Sequence, residues 1–399
     1  MAEKQVIVIG AGGAQAQAMI EAVARATTLD GWVAVDRTWR EKERLACEEL
    51  GMSTVELDLL EEPDRLQALA AGAELVANFA GPYYRTGTAV LDACIEGRCD
   101  YLDICDDADA TLAMLARHPH AAAAGIRALV GMGSSPGVTN VLVRAAYDAL
   151  GGADEVNLSW IVDVADVNAA ALQHFWHIFA PVGLDGERRP VPAWNELDLR
   201  SVQFPAPLGE QSVVGLSHPE PITIPRFLGV ETVRNFGSIV PQDSLVVNWA
   251  LARLGASGGA GDEIEVDGAK VGIPALASDL YRHYLKTREP SEYLGGGLVV
   301  DVWSGEEGIR FASADKTSMD ESTGVPAAAG IVLMLEGGPE EHGVMAPECL
   351  DPAEFFPALG RSSRGTGSLG AYRLRGSEQG ERIRVRDLLK TGMKTGSRR

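Results

Sequence analysis

Two short stretches carry most of the residues that could do chemistry. The first, NFAGPYYRTG, runs from Asn78 to Gly87. An apolar run stops at Gly81-Pro82, and Tyr83, Tyr84 and Arg85 follow at once. A tyrosine can donate a proton or hold a hydroxyl, and a guanidinium can clamp a carboxylate. The second, DYLDICDD, runs from Asp100 to Asp107 and crowds Asp103, Cys105, Asp106 and Asp107 at one strand end. Clustered carboxylates resist shared ionisation, so one of them can have a raised pKa and serve as acid or base. Each stretch has a plainer reading. The tyrosines would pack between domains, and the acidic residues would cap a helix beginning near residue 108.

A third stretch, VIVIGAGGAQAQAMIEAVA, reads as a strand, a glycine-rich turn and a helix. Gly10 allows the tight turn, and Gly12 lets backbone N–H groups approach a pyrophosphate at the helix N-terminus. Gly13 and Ala14 complete the expected cofactor turn. Gln15 stands where the third glycine of such turns belongs. About 25 residues on, VAVDRTW ends the second strand with Asp36, placed to accept from ribose hydroxyls. Its charge favours NAD over NADP. Arg37 and Arg40 leave NADP open, since either could meet a 2′-phosphate. Asp58 would lie near the adenine or cap its own strand end.

Elements must hold these residues in place. Apolar runs at 5–9, 32–36, 54–58, 74–80, 100–104 and 126–130 alternate with helical patterns over the first 130 residues. That spacing predicts a parallel, doubly wound α/β sheet. Ligands bind outside the carboxyl ends of such strands, so Gly81 and Pro82 would bring backbone close to the cofactor. After GMGSSPG (131–137) a helix is expected, and then longer alternating strands at 154–164, 211–217, 296–305 and 308–315. These predict a second α+β domain with a mixed sheet, covered by helices at 273–287 and 323–336. In PRFLGVETVRNFG, Arg226 and Arg234 could receive a substrate carboxylate or form salt bridges on the sheet surface. Trp176 would wall the pocket or fill core.

Composition narrows the partners. The 399 residues are 46% hydrophobic with a formal net charge of -21, which disfavours nucleic acid and anionic membrane surfaces. Five cysteines, an odd and sparse set, point to a reducing cytoplasm rather than a disulfide framework. The N-terminus lacks the pattern of a signal peptide, and the most apolar late run, 325–335, is too short to span a bilayer. His174 and His177 lack a third ligand of recognisable spacing, so no metal site is expected. The basic stretch from Arg373 onward reads as a solvated tail or surface hairpin.

The stretches VANFAGPYYRTGTAVLDACIEGRCDYLDICDD, GMGSSPGVTNVLVR, TGVPAAAGIVLML, HGVMAPECLDP and FFPALGR resemble saccharopine dehydrogenase-like oxidoreductases. The resemblance spans roughly residues 5 to 360. It implies a Rossmann domain over 1–130, a substrate and dimerisation domain over 131–350, and a segment over 351–399 returning to the first domain. It also implies hydride transfer between NAD or NADP and a carbon–nitrogen centre of an amino acid, amine or cyclic imine, in a homodimer. By the same resemblance, Asn78, Ala80, Gly81, Pro82 and Tyr83 line the nicotinamide, and the turn from Ser134 to Gly137 joins the domains beside the cleft. The residues weighed for catalysis are thus Tyr83, Tyr84, Arg85, Asp103, Asp106 and Arg234. Two other readings stay open: a trans-acting enoyl reductase on a lipid or polyketide, and a dinucleotide-binding sensor without turnover.

Overall fold

The computed structural model describes residues 5–163, 176–177, 183–184, 190–191, 199–256, 263–289, 292–365, 369–376 and 378–392. The chain opens with strands β1 (Gln5–Ile9), β2 (Val33–Asp36), β3 (Ser53–Glu56), β4 (Ala73–Asn78), β5 (Asp100–Asp103) and β6 (Arg127–Leu129). Helices α1 (Ala14–Val23), α2 (Glu41–Glu49), α3 (Pro63–Gly72), α4 (Tyr83–Gly97), α5 (Ala108–Leu115) and α6 (His118–Ala124) connect them. Val6–Ile9 and Leu75–Ala77 are buried. That fits strands covered by helices on both faces.

Helix α7 (Val138–Leu150) leads into the second domain. There follow β7 (Glu155–Asp163), the short β8 (Gly183–Leu184) and β9 (Pro190–Val191), β10 (Arg200–Gln203) and β11 (Glu210–Gly215). Helix α8 (Glu220–Leu228), β12 (Thr232–Val240) and helix α9 (Gln242–Arg253) come next. A hairpin of β13 (Glu263–Val266) and β14 (Ala269–Gly272), helix α10 (Ile273–Thr287), β15 (Gly296–Ser304) and β16 (Glu307–Asp315) complete this stretch. The chain then adds helix α11 (Met319–Leu335), β17 (Gly343–Met345), helix α12 (Pro352–Ser362), β18 (Gly370–Arg375), β19 (Glu378–Ile383) and helix α13 (Val385–Gly392).

The first sheet has the order β17-β6-β5-β4-β1-β2-β3, and every pair in it is parallel. The expected doubly wound α/β sheet is therefore present, with a seventh strand supplied from late in the chain. The second sheet has the order β10-β11-β12-β7-β15-β16-β18-β19. Its β12–β7 pair is parallel and its neighbours are antiparallel, a mixed sheet as expected.

The expected domain limits differ from this arrangement. The resemblance implies a return to the first domain over residues 351–399, but it begins with α11, whose residues between Ala327 and Met334 join the first core. Gly324 makes the approach possible: a Cβ there would sit 2.6 Å from the Gln15 carbonyl oxygen and 2.7 Å from the Met19 nitrogen of α1. Conversely, β18 and β19 extend the second sheet, because β18 pairs along β16. The basic stretch from Arg373 is thus largely a hairpin at a sheet edge. Helix α11 also starts four residues before the expected 323, since Ser318 accepts a hydrogen bond from the Glu321 N–H and caps it.

Candidate active site

The sheet order reverses between β1 and β4, and crevices at such points hold ligands. Gly10 has φ +74°, and a Cβ on it would lie 2.7 Å from the backbone of Phe79 and Ala80. The glycine turn after β1 therefore presses directly on the segment after β4. Gly13 precedes α1, which begins at Ala14. Asp36 leans across from β2 and accepts the Gly12 N–H at 2.8 Å. Thr38 also donates its N–H to Asp36, at 3.3 Å. A Cβ on Gly12 would stand 3.0 Å from the Asp36 carboxylate, so the cradle has room for backbone only. These residues fit a dinucleotide: a bare turn at a helix N-terminus, with an acid at the ribose position.

The flanking candidates divide. Arg40 reaches back to the Gly12 carbonyl at 3.2 Å and pairs with Glu43, while Arg37 is exposed. Asp58 accepts the N–H groups of Leu60 and Glu61, so it caps its own turn. Gln15 is half-buried in the first turn of α1.

The break at Gly81-Pro82 is the start of a helix. Pro82 is the N-cap of α4, so Tyr83, Tyr84 and Arg85 occupy its first turn. Tyr83 faces the core, not the cleft, and its hydroxyl donates to the Asn78 carbonyl at 3.1 Å. Tyr84 and Arg85 face outward, and Tyr84 lies against the His177 ring at 4.6 Å. Helical geometry sets this split, because neighbouring residues point about 100° apart.

Asn78 and Asp103 form one buried network at the ends of β4 and β5. Asn78 accepts the Ala80 N–H and donates to the Tyr101 hydroxyl at 3.2 Å. That hydroxyl donates to Asp103 at 2.7 Å. Asp103 also accepts the N–H groups of Cys105 (3.0 Å) and Gly131 (2.7 Å). Burial pushes its carboxyl up to about 6, against the pull of these hydrogen bonds. Asp103 thereby ties β5 to the domain-joining turn. Asp106 is half-buried beside it. Asp107 is the N-cap residue of α5 but makes no side-chain cap bond; it lies 3.9 Å from His177 Nε2. Asp109 lies nearer, at 3.3 Å.

A second network, which no sequence motif announced, fills the junction between the domains. Ser134 and Ser135 sit half-buried on the turn after β6. Ser135 donates to Glu220 Oε1 at 2.6 Å, and Thr139 donates to the same oxygen at 3.1 Å. His218 Nδ1 lies 2.6 Å from Glu220 Oε2. Trp160 packs its ring against His218 at 5.7 Å and donates to Asn235, which reaches Ser135 and His218 at 3.4 Å each. Burial alone would raise the Glu220 carboxyl. The charge and hydrogen bond of His218, with the Ser135 hydroxyl, outweigh it and hold the group below the usual range. One step further in, Asn140 donates to Glu348 at 2.8 Å. Glu348 Oε1 has no hydrogen-bond partner among the described residues, and burial pushes this carboxyl up to about 7.

Arg234 is not part of either network. It lies on the face of β12 opposite Asn235 and pairs with Glu155 at 2.8 Å, with both side chains more than two-fifths exposed. Side chains alternate along a strand, so two neighbours cannot share a face. Arg226 is exposed over the Phe227 ring. Trp176 is core: it is fully buried and donates to Asn248. His174 lies outside the described residues. Among the described residues, no three His, Cys, Asp or Glu side chains are grouped to hold a metal ion.

Residues 6–129 match the saccharopine dehydrogenase NADP-binding domain. Over that domain the chain resembles the saccharopine dehydrogenase-like oxidoreductases. Over 391 aligned residues it is 26% identical to carboxyaminopropylagmatine dehydrogenase from Synechocystis sp., covering 89% of this chain and 95% of that one. The fold is shared with apo saccharopine dehydrogenase (L-Glu forming) from Saccharomyces cerevisiae, at TM-score 0.62 and 15% identity over 93% of this chain and all of that one. It is shared too with homospermidine synthase from Legionella pneumophila, solved with NAD, at TM-score 0.60 and 12% identity over 93% and 91% of the two chains. The cofactor of such a domain is NAD(P), and the Gly10–Gly13 turn lies within the matched residues.

Proposed function

We propose that this oxidoreductase moves a hydride between a nicotinamide cofactor and a carbon–nitrogen centre of a small, cationic amine or amino acid. One observation carries the reading most: the buried, ionised Glu220 and its partner His218 hang from the domain-joining turn, on the sheet edge that carries the dinucleotide turn. A site of this charge suits an ammonium or iminium group and is closed to bulk water, as hydride chemistry needs. The net charge of -21 draws cations toward the cleft. The full-length likeness to carboxyaminopropylagmatine dehydrogenase supports a substrate with an amine and a carboxylate. A nicotinamide bound there supplies or accepts the hydride. The chain's own part is to seat the dinucleotide, hold the reacting nitrogen and manage its proton. Asn78 and Asp103 fix the backbone that would border the nicotinamide; Tyr84, Arg85 and Asp106 lie at its outer margin.

The test is turnover of carboxyaminopropylagmatine, saccharopine and lysine with NAD and NADP, read at 340 nm. Nicotinamide reduction with any of them upholds the proposal. Cofactor binding with no turnover across the panel rejects it and favours a sensor.

Coenzyme choice follows from Asp36. NADH is expected to bind at least about tenfold more tightly than NADPH, since a carboxylate held at Gly12 N–H repels a 2′-phosphate. Asp36→Ala is expected to erase that preference in a fluorescence titration. A wild-type preference for NADPH would move the selector role to Arg37 and Arg40.

The working form we propose is a cytoplasmic homodimer joined through the second domain. Six exposed large apolar side chains lie there: Leu199, Val246, Leu254, Ile264, Val266 and Leu280. Light scattering is expected to give twice the 42.3 kDa chain mass. A monomer at micromolar concentration would reject the dimer. Among the described residues no helix is long and apolar enough to cross a membrane.

A further inference from the structure

We propose that Glu348 is a proton-operated latch between the two domains: protonated, it lets them dock, and ionised, it eases them apart. The inference stands apart from the hydride reading and asks nothing of any substrate. Its first support is placement. Glu348 lies on the 3-10 turn Pro347–Cys349, which follows β17 of the cofactor sheet. Its carboxyl is fully buried against the second domain, where α7 supplies Asn140 at 2.8 Å and α8 supplies Thr223 and Glu220. The Arg144 guanidinium of α7 also reaches the Glu348 carbonyl, at 3.2 Å. One residue on the first-domain side thus carries polar contacts to two helices of the second.

Two carboxyls meet in this junction, and their partners decide which one holds a proton. Glu220 has the charge and hydrogen bond of His218 on one oxygen and the hydroxyls of Ser135 and Thr139 on the other. It stays ionised. Glu348 has a neutral amide on one oxygen, and its Oε1 has no partner among the described residues. A negative charge there is buried, short of donors and repelled by Glu220. The other charged and titratable groups around the turn do not offset it. Arg144 is paired with Asp148 at 2.8 Å. Cys349 has its thiol pushed up to about 12 by burial and stays neutral, and Glu341 on the first-domain side adds a further negative charge. Parting the domains lets water reach the Glu348 carboxyl, and ionisation then costs little. The docked form therefore keeps its proton up to about pH 7, and the parted form only up to the ordinary glutamate range. Docking is strongest below that range, weakens as pH rises toward 7 and is level beyond. The total loss in the docking equilibrium is up to roughly 100-fold.

Hydrogen exchange of the full chain, read by mass spectrometry, tests the latch. Wild type and Glu348→Gln are compared at equal pH, so that intrinsic exchange cancels. At pH 6 the two are expected to match. At pH 8 the wild type is expected to exchange at least about threefold faster in the junction peptides 137–150, 218–228 and 345–350. Peptides of β1 and β4, and of β15 and β16, are expected to stay alike in the two proteins. Equal junction exchange at pH 8 would overturn the proposal, since the charge would then be harmless. An equal excess over both sheets and the junction would overturn it too, since ionisation would then loosen the whole fold rather than the latch. Infrared spectroscopy gives a separate readout. The protonated-carboxyl C=O band that titrates near pH 7 in the wild type is expected to be missing in Glu348→Gln, and a band untouched by the substitution sinks the idea. Should Glu348→Gln fail to fold, the wild type decides alone: its ratio of junction to sheet exchange is expected to rise between pH 6 and pH 8, and a constant ratio rejects the latch. Turnover enters neither readout, so a negative result leaves the proposed hydride chemistry standing.

Discussion

Glu348→Gln is expected to be more stable than the wild-type protein at pH 8, by roughly 1–3 kcal/mol. The cause is a carboxyl held where its charge is unwelcome. Glu348 is fully buried, one of its oxygens lacks a partner among the described residues, and Glu220 lies close enough to repel it. Its folded pKa, about 7, lies above that of an unfolded glutamate. The folded state therefore holds an extra proton between about pH 4.5 and pH 7, and stability falls as pH rises through that window. Glutamine keeps the acceptor for Asn140 and removes the charge. Melting curves from pH 5 to 8 are expected to show a wild-type slope that flattens in the variant. Asp103, pushed up to about 6, adds a slope of the same sign at lower pH that the substitution leaves in place. Glu220 is held low, so its contribution is lost only as pH falls below the ordinary carboxylate range. Equal slopes in both proteins would show that Glu348 is ionised at no cost.

Gly10→Ala is expected to cost about 1–3 kcal/mol of stability and to weaken NADH binding by roughly 100-fold or more. Its φ of +74° is one that L residues rarely adopt, and the added Cβ would meet the Phe79 and Ala80 backbone at 2.7 Å. Relief requires the turn after β1 to part from the segment after β4, and the proposed cofactor seat lies on that seam. Gly360→Ala, on α12 and outside the cofactor segment, is the control: a Cβ there meets nothing within 4 Å. A Gly10→Ala protein that binds NADH normally would place the cofactor elsewhere.

The cofactor half was legible in the sequence because its signals are local. Continuous apolar runs, a glycine turn and an acid at the second strand end each sit within a few residues. Tyr83 reads as a cleft or interdomain residue because the sequence shows a break at Gly81-Pro82, whereas that break is the start of α4 and turns Tyr83 into the core. Pro82 before a helical pattern was the available sign. The junction network was illegible for a different reason. Ser135, Glu220 and Glu348 are separated by 85 residues or more, and only folding brings them together. A hint lay in GLSHPEPITIP, where His218 and Glu220 interrupt an otherwise apolar and proline-rich run. Charges in such company are buried only when paired. For Arg234 the sequence left a substrate carboxylate and a salt bridge on the sheet surface both open, and its place on β12, paired with Glu155, is the second.

The seventh strand of the cofactor sheet has a consequence for synthesis. β17 seats beside β6 with Gly343 opposite Arg127, more than 200 residues away in the chain. On the ribosome, six strands and their helices have emerged while the seat for β17, and the face of α1 that receives Gly324, are still open to solvent. At 5–20 residues per second the gap lasts roughly 10 to 40 s. During that interval the nascent chain presents a bare strand edge and an uncovered apolar helix face, both of them surfaces that aggregate or recruit chaperones. The second domain is translated inside that interval, so the two halves of this protein cannot mature one after the other.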